Sequence, residues 1–139
     1  MIRTLAALAL ALATPVAHAK PASDPILGAW GFKTAAYGPS CVLEGHMTIR
    51  PAAQPNRYDC TFTAVERCRD WTVSAKQSCK AERTASGLSI RSAVVQSTGT
   101  DYRPDDFTLD AIAPDSMRGT MSSVFKAPVA FTRKVALTS

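Results

Sequence analysis

Between Cys41 and Arg50 the chain alternates. Cys41, Leu43, Gly45, Met47 and Ile49 fall on one parity, and Val42, Glu44, His46 and Thr48 on the other. A two-residue period sends successive side chains to opposite faces of an extended strand, so one face here is largely apolar and the other meets water. The pattern recurs in Arg57–Val65, where Tyr58, Cys60, Phe62 and Ala64 oppose Asp59, Thr61 and Thr63. Helices need a 3.6-residue period sustained over about ten residues, which the chain beyond residue 20 does not offer. The exception is AKQSCKAER, whose composition also tolerates a short helix. There the shared parity of Trp71, Val73, Ala75, Gln77 and Cys79 favours a strand over Trp71–Ala81.

Five further segments read the same way: Gly28–Thr34, Leu88–Val95, Asp106–Ile112, Met117–Val124 and Val129–Lys134. Turn-forming residues separate them: Tyr37 to Ser40, Pro51 to Asn56, Ser86-Gly87, Ser97 to Pro104, Ala113 to Asp115, and Lys126 to Pro128. The expected fold class is therefore all-β. Eight antiparallel strands in sequence order form a meander, and closing it into a small barrel removes the exposed edges of an open sheet. Residues 20–139 are read as one domain.

The first 19 residues differ in kind. Arg3 precedes a nine-residue apolar run, Leu5 to Ala13, and Ala17-His18-Ala19 is a small-x-small cleavage site. This order predicts a cleavable secretion signal over 1–19 and a periplasmic or secreted protein. Nine residues make a helix of about 14 Å, roughly half of a hydrocarbon core, so no membrane span is expected there or later. Without the signal, 139 − 19 leaves 120 residues, and losing Arg3 leaves 15 basic against 11 acidic side chains, a charge of +4. The basic residues are scattered and do not interleave with aromatics, so nucleic acid is not an expected partner.

Cys41, Cys60, Cys68 and Cys79 all fall in the exported part, where an even number reads as two disulfides. If the second and third strands form a hairpin about Gln54–Pro55, opposite positions sum to 109, and Cys41 faces Cys68. A turn at Arg69–Asp70 makes the next pair sum to 139, so Cys60 faces Cys79. The preferred pairing is Cys41–Cys68 with Cys60–Cys79; the local alternative is Cys41–Cys60 with Cys68–Cys79. Gaps of 19, 8 and 11 residues match no C-x-x-C zinc pattern, so no metal is expected.

Three short matches resemble the calycin group, the lipocalins and their smaller relatives. Gly28-Ala29-Trp30 opens the first strand as the lipocalin G-x-W does, Thr100-Asp101-Tyr102 is similar to its T-D-Y, and Arg133 ends the last strand. The resemblance implies a barrel plugged at one end by Arg133 over the Trp30 ring, through apolar cover and cation–π attraction. It also implies ligand binding.

Catalytic patterns are absent. His46 is the one histidine after the signal, beside Glu44 on the face assigned to solvent, with no third metal ligand evident. No G-x-S-x-G, H-E-x-x-H or phosphate loop occurs. Asp105-Asp106 are read as turn and strand-edge residues. No enzyme and no cofactor are expected. The inward face combines large residues with small ones at mid-strand, including Gly45, Ala64, Ala75, Ser92, Ala111, Gly119 and Ser123. The small residues either hollow a cavity or make room for their neighbours, because an eight-stranded barrel is just wide enough for either. The first expectation is a binding protein for a small apolar or amphiphilic ligand, touched by Phe32, Met47, Tyr58, Phe62, Ile90, Phe107 and Met121. The alternative is an inhibitor of an exported hydrolase, a protease or lysozyme, acting through the loop Gln96 to Asp106 or the arm Lys20–Pro25.

Overall fold

Each alternating segment becomes a strand. The computed structural model describes residues 11–13 and 24–135. The predicted signal over 1–19 lies outside them apart from residues 11–13, as do residues 20–23 of the N-terminal arm. The strands are β1 (Gly28–Thr34), β2 (Val42–Pro51), β3 (Arg57–Arg67), β4 (Thr72–Thr84), β5 (Gly87–Ser97), β6 (Asp106–Ile112), β7 (Ser116–Ser122) and β8 (Lys126–Arg133). Each pairs antiparallel with the next, and β1 pairs with β8 to close the barrel.

The register follows the alternation. β2 and β3 pair as Ile49 with Cys60, and β3 and β4 as Cys60 with Cys79, the sums of 109 and 139. The disulfides are Cys41–Cys68 and Cys60–Cys79. Two disulfides fit an oxidising compartment. The segment AKQSCKAER is strand, continuous with the rest of β4. Among the described residues no helix is long and apolar enough to cross a membrane.

Three local expectations are corrected. Lys126 to Pro128 is the start of β8, not a turn; the turn is 123–125, closed by Ser123 N–H donating to the Phe125 carbonyl at 2.8 Å. Ala127 already faces inward in step with Val129 and Phe131, while Pro128 stands on the outer face. Ala111 is exposed because an irregularity between Leu109 and Ala111 shifts the parity, and Ile112 becomes partly buried instead. Ser123, also expected inside, lies exposed in the 123–125 turn.

The interior is filled by side chains. Phe32, Phe62, Phe107 and Phe131 meet ring to ring with centroids 5.2–5.7 Å apart, mostly edge to face. That geometry sets the positive ring edge on the negative face. Glycine permits close approach at two inward positions, at Gly45 against the Phe32 ring and at both against neighbouring backbone. A Cβ on Gly45 would lie 2.6 Å from Phe32 Cζ and 2.1 Å from the Thr63 carbonyl oxygen. One on Gly119 would lie 2.0 Å from the Thr108 carbonyl oxygen.

A meander puts alternate connections at opposite ends. At one end lie the β2–β3, β4–β5 and β6–β7 turns with the segment 24–27; at the other lie 35–41, 68–71, 98–105 and 123–125. The β5–β6 seam is short, Leu88–Ile90 against Phe107–Leu109, so the top of β5 has no ladder with β6. The loop 98–105 folds beside it.

Candidate functional site

The end holding residues 24–27 is closed by packing and hydrogen bonds. Trp30 is fully buried, and its indole N–H donates to the Ile26 carbonyl at 2.9 Å. The Arg133 guanidinium lies 4.3 Å from the centre of the ring, a cation–π contact. Its Nε donates to the Pro114 carbonyl at 2.7 Å, Nη1 to Leu27 at 2.7 Å, and Nη2 to Pro25. Asp24 binds there too, accepting from Ile26 N–H at 3.0 Å, Arg83 Nη2 at 3.1 Å and the Tyr58 hydroxyl. Burial opposes ionisation of Asp24, but these donors and the Arg83 charge outweigh it and hold the carboxyl below its usual range.

The opposite end is open. Its four connections surround a cavity of about 220 Å³ walled by the aromatic rings of Tyr37, Trp71, Tyr102 and Phe125, with Val73 and Val124 between them. Trp71 is 46 % exposed, Phe125 45 % and Val124 67 %, a cluster of large apolar surface at the rim. Trp71 was expected on the inward face of β4. It instead sits in the turn before the strand, where its carbonyl accepts from Cys68 N–H at 2.9 Å and its side chain is half exposed.

Polar groups underlie the rim. Asp105 is 1 % exposed, which corrects its reading as a turn or edge residue, because its side chain turns into the barrel just ahead of β6. Its Oδ2 accepts from Gln77 Nε2 at 2.7 Å and from the Tyr102 hydroxyl at 2.8 Å, and its N–H donates to Gln77 Oε1 at 3.0 Å. Burial pushes the carboxyl up to about 6 despite the Gln77 and Tyr102 hydrogen bonds, and the Glu66 and Asp106 charges add to the rise. Glu66, on the cavity wall, accepts from the Tyr37 hydroxyl. Burial, then the partner carboxylates, raise both tyrosine hydroxyls far above the ordinary phenol value.

The seven expected ligand contacts fall in two places. Phe32, Phe62 and Phe107 are in mutual ring contact, and Met47, Ile90 and Met121 belong to the same buried cluster. Phe107 and Met121 stand one inward position below Asp105 and Ser123. Tyr58 lies at the plugged end, its hydroxyl turned to Asp24. Glu44 and His46 find separate neighbours on the outer face: Arg67 pairs with Glu44, and Lys134 Nζ lies 3.4 Å from His46 Nε2. A shallower concavity of about 610 Å³ beside the β2–β3 turn presents Lys80 and Arg57, already paired with Asp59 at 2.5 Å and Glu82 at 3.7 Å.

The aromatic mouth was missed by sequence reasoning except for Tyr102, marked by the T-D-Y resemblance. The available signal was large apolar residues next to turns, at Trp71 and Val124-Phe125, where solvated connections normally carry small polar ones.

No protein-family model matches the chain, and no curated protein matches it. Among solved structures, a de novo designed fluorescence-activating β-barrel superposes with a TM-score of 0.53 at 18 % identity, over 79 % of this chain and 94 % of that one. At that identity the likeness is one of fold, an eight-stranded antiparallel barrel.

Proposed function

We propose that the protein is an exported, non-enzymatic, lipocalin-like barrel that binds a small apolar or amphiphilic ligand at its open mouth. One observation carries this reading: the barrel is plugged at one end by Trp30 and Arg133, and the other is an aromatic-walled concavity with exposed apolar rings at its rim. Barrel mouths are a recurrent place for small-molecule sites, and clustered exposed apolar surface marks interaction sites. Asp105 and Gln77 lie beneath the mouth, and the phenylalanine cluster fills the barrel interior. An apolar chain that goes deeper, to Phe32, Met47, Phe62, Ile90, Phe107 and Met121, has to part those rings. The designed barrel that the chain resembles, fluorescence-activating by its title, is consistent with a binding role for this architecture.

The neutral fluorophore N-phenyl-1-naphthylamine tests the proposal. Saturable 1:1 enhancement of its emission is expected, weakened at least about tenfold in the double variant Trp71→Ser, Phe125→Ser. Both side chains are half exposed, so the fold should tolerate the change. No saturable binding, or binding indifferent to the variant, would overturn it.

The inhibitor reading has one observation in its favour. The loop 98–105 is held at both ends, by the Thr98–Ser74 hydrogen bonds (Thr98 N–H to the Ser74 carbonyl, 2.9 Å) and by Asp105 on Gln77. A pre-ordered loop loses little entropy on entering an enzyme cleft.

A further inference from the structure

We infer that the headgroup received by the mouth is an organic cation, a tertiary or quaternary ammonium borne on an apolar chain; this rests on the ligand-binding reading above. Three features converge on it.

Four aromatic side chains line the walls: Tyr37 and Phe125, with centroids 6.1 Å apart and planes inclined at 39°, together with Trp71 and Tyr102. Ring faces are electronegative and attract a partly desolvated cation, most strongly when it is an alkylated ammonium that gives up little hydration. Both tyrosines donate their hydroxyl protons to carboxylates, Tyr37 to Glu66 and Tyr102 to Asp105 at 2.8 Å. Each such bond pushes electron density into the phenol ring. It also spends the hydroxyl donor that an anionic or sugar-like ligand would need.

The charge at the site is negative within a positive protein. Glu66 and Asp101 line the cavity with Asp105 beneath it, against one lining cation among the described residues, Arg103. Without the predicted signal the chain carries +4. Non-specific attraction therefore favours anionic amphiphiles, and a preference for cations has to come from the pocket itself.

Size separates head from tail. A cavity of about 220 Å³ falls below the roughly 300–1,000 Å³ of sites that enclose a whole drug-sized ligand. It suits a compact headgroup. The exposed faces of Trp71, Val124 and Phe125 at the rim then offer a hydrocarbon chain its cover.

Three amphiphiles with one chain and different heads test the inference: dodecyltrimethylammonium, dodecyl maltoside and dodecyl sulfate. Each is titrated below its micelle concentration into the full-length exported protein at 0.15 M salt, by calorimetry. The expected result is trimethylammonium binding at least about tenfold tighter than maltoside, with sulfate weakest. Glu66→Gln keeps an acceptor for the Tyr37 hydroxyl and removes the charge, and Trp71→Leu keeps apolar area and removes the ring. Each should lower trimethylammonium affinity more than maltoside affinity, cutting the cation preference severalfold. Equal affinity for the three heads, a preference for sulfate, or a preference that survives both variants overturns the headgroup inference and leaves the ligand-binding reading standing. Binding of none of the three overturns both.

Discussion

Asp105 carries a price for its position. A carboxyl that titrates at about 6 in the folded chain and near 3.8 in the unfolded one holds an extra proton when folded between those values. Its stabilising contribution is therefore present in full below about pH 3.8 and is lost as the pH rises through 6. Two units at 1.36 kcal/mol each amount to about 3 kcal/mol at most. Asp105→Asn stays neutral and keeps an acceptor for Gln77 and Tyr102. Urea denaturation from pH 4 to 7 should show the variant's fall in stability smaller than wild type's by about 2–3 kcal/mol; parallel profiles would place the buried charge elsewhere. Asp105 was not legible in the sequence as a buried group. Next to Asp106 and after Pro104 it reads as loop, and its burial depends on Gln77, which reaches it from 28 residues away. Trp30 with Arg133 was legible through resemblance, whereas the three carbonyls that Arg133 ties together belong to segments with no local mark.

At the scale of elements, parity was the readable quantity. Alternation in β2, β3 and β4 set inward and outward faces, and turns at Gln54–Pro55 and Arg69–Asp70 then gave the registers that place Cys41 with Cys68 and Cys60 with Cys79. Parity fails where a bulge inserts a residue, as it does after Leu109, and a strand boundary is misread where a proline sits inside the strand, as Pro128 does in β8. Close approach is likewise a property of paired elements. Gly45→Ala drives a Cβ into the Thr63 carbonyl and the Phe32 ring, whereas Gly31→Ala meets nothing closer than Lys134 Cε at 3.6 Å. Denaturant midpoints should show Gly45→Ala destabilised by about 2–3 kcal/mol, with Gly31→Ala neutral or slightly stabilised. Similar values for the two would mean that the rings have room to move aside, and so that the interior can open to a guest.

For the whole molecule, closure and cross-linking act together. The disulfides span 27 and 19 residues of chain, and the chain-entropy model gives each about 3–4 kcal/mol of stabilisation. Replacing either pair by alanine should lower the unfolding free energy by about 3 kcal/mol in equilibrium denaturation, a large part of an ordinary domain's total. A loss below about 1 kcal/mol for Cys60–Cys79 would mean that the β3–β4 ladder already holds the unfolded chain's ends together. The mouth is the part that only the assembled molecule reveals, since its lining is gathered from four separate connections and only Thr100-Asp101-Tyr102 carries a local mark. Its position has a further consequence. Asp24 and Arg133 both lie at the plugged end, so the backbone on either side of the barrel departs from there. A tether, fusion partner or surface attached through either terminus would therefore hold the barrel like a cup by its base, with its aromatic rim facing outward.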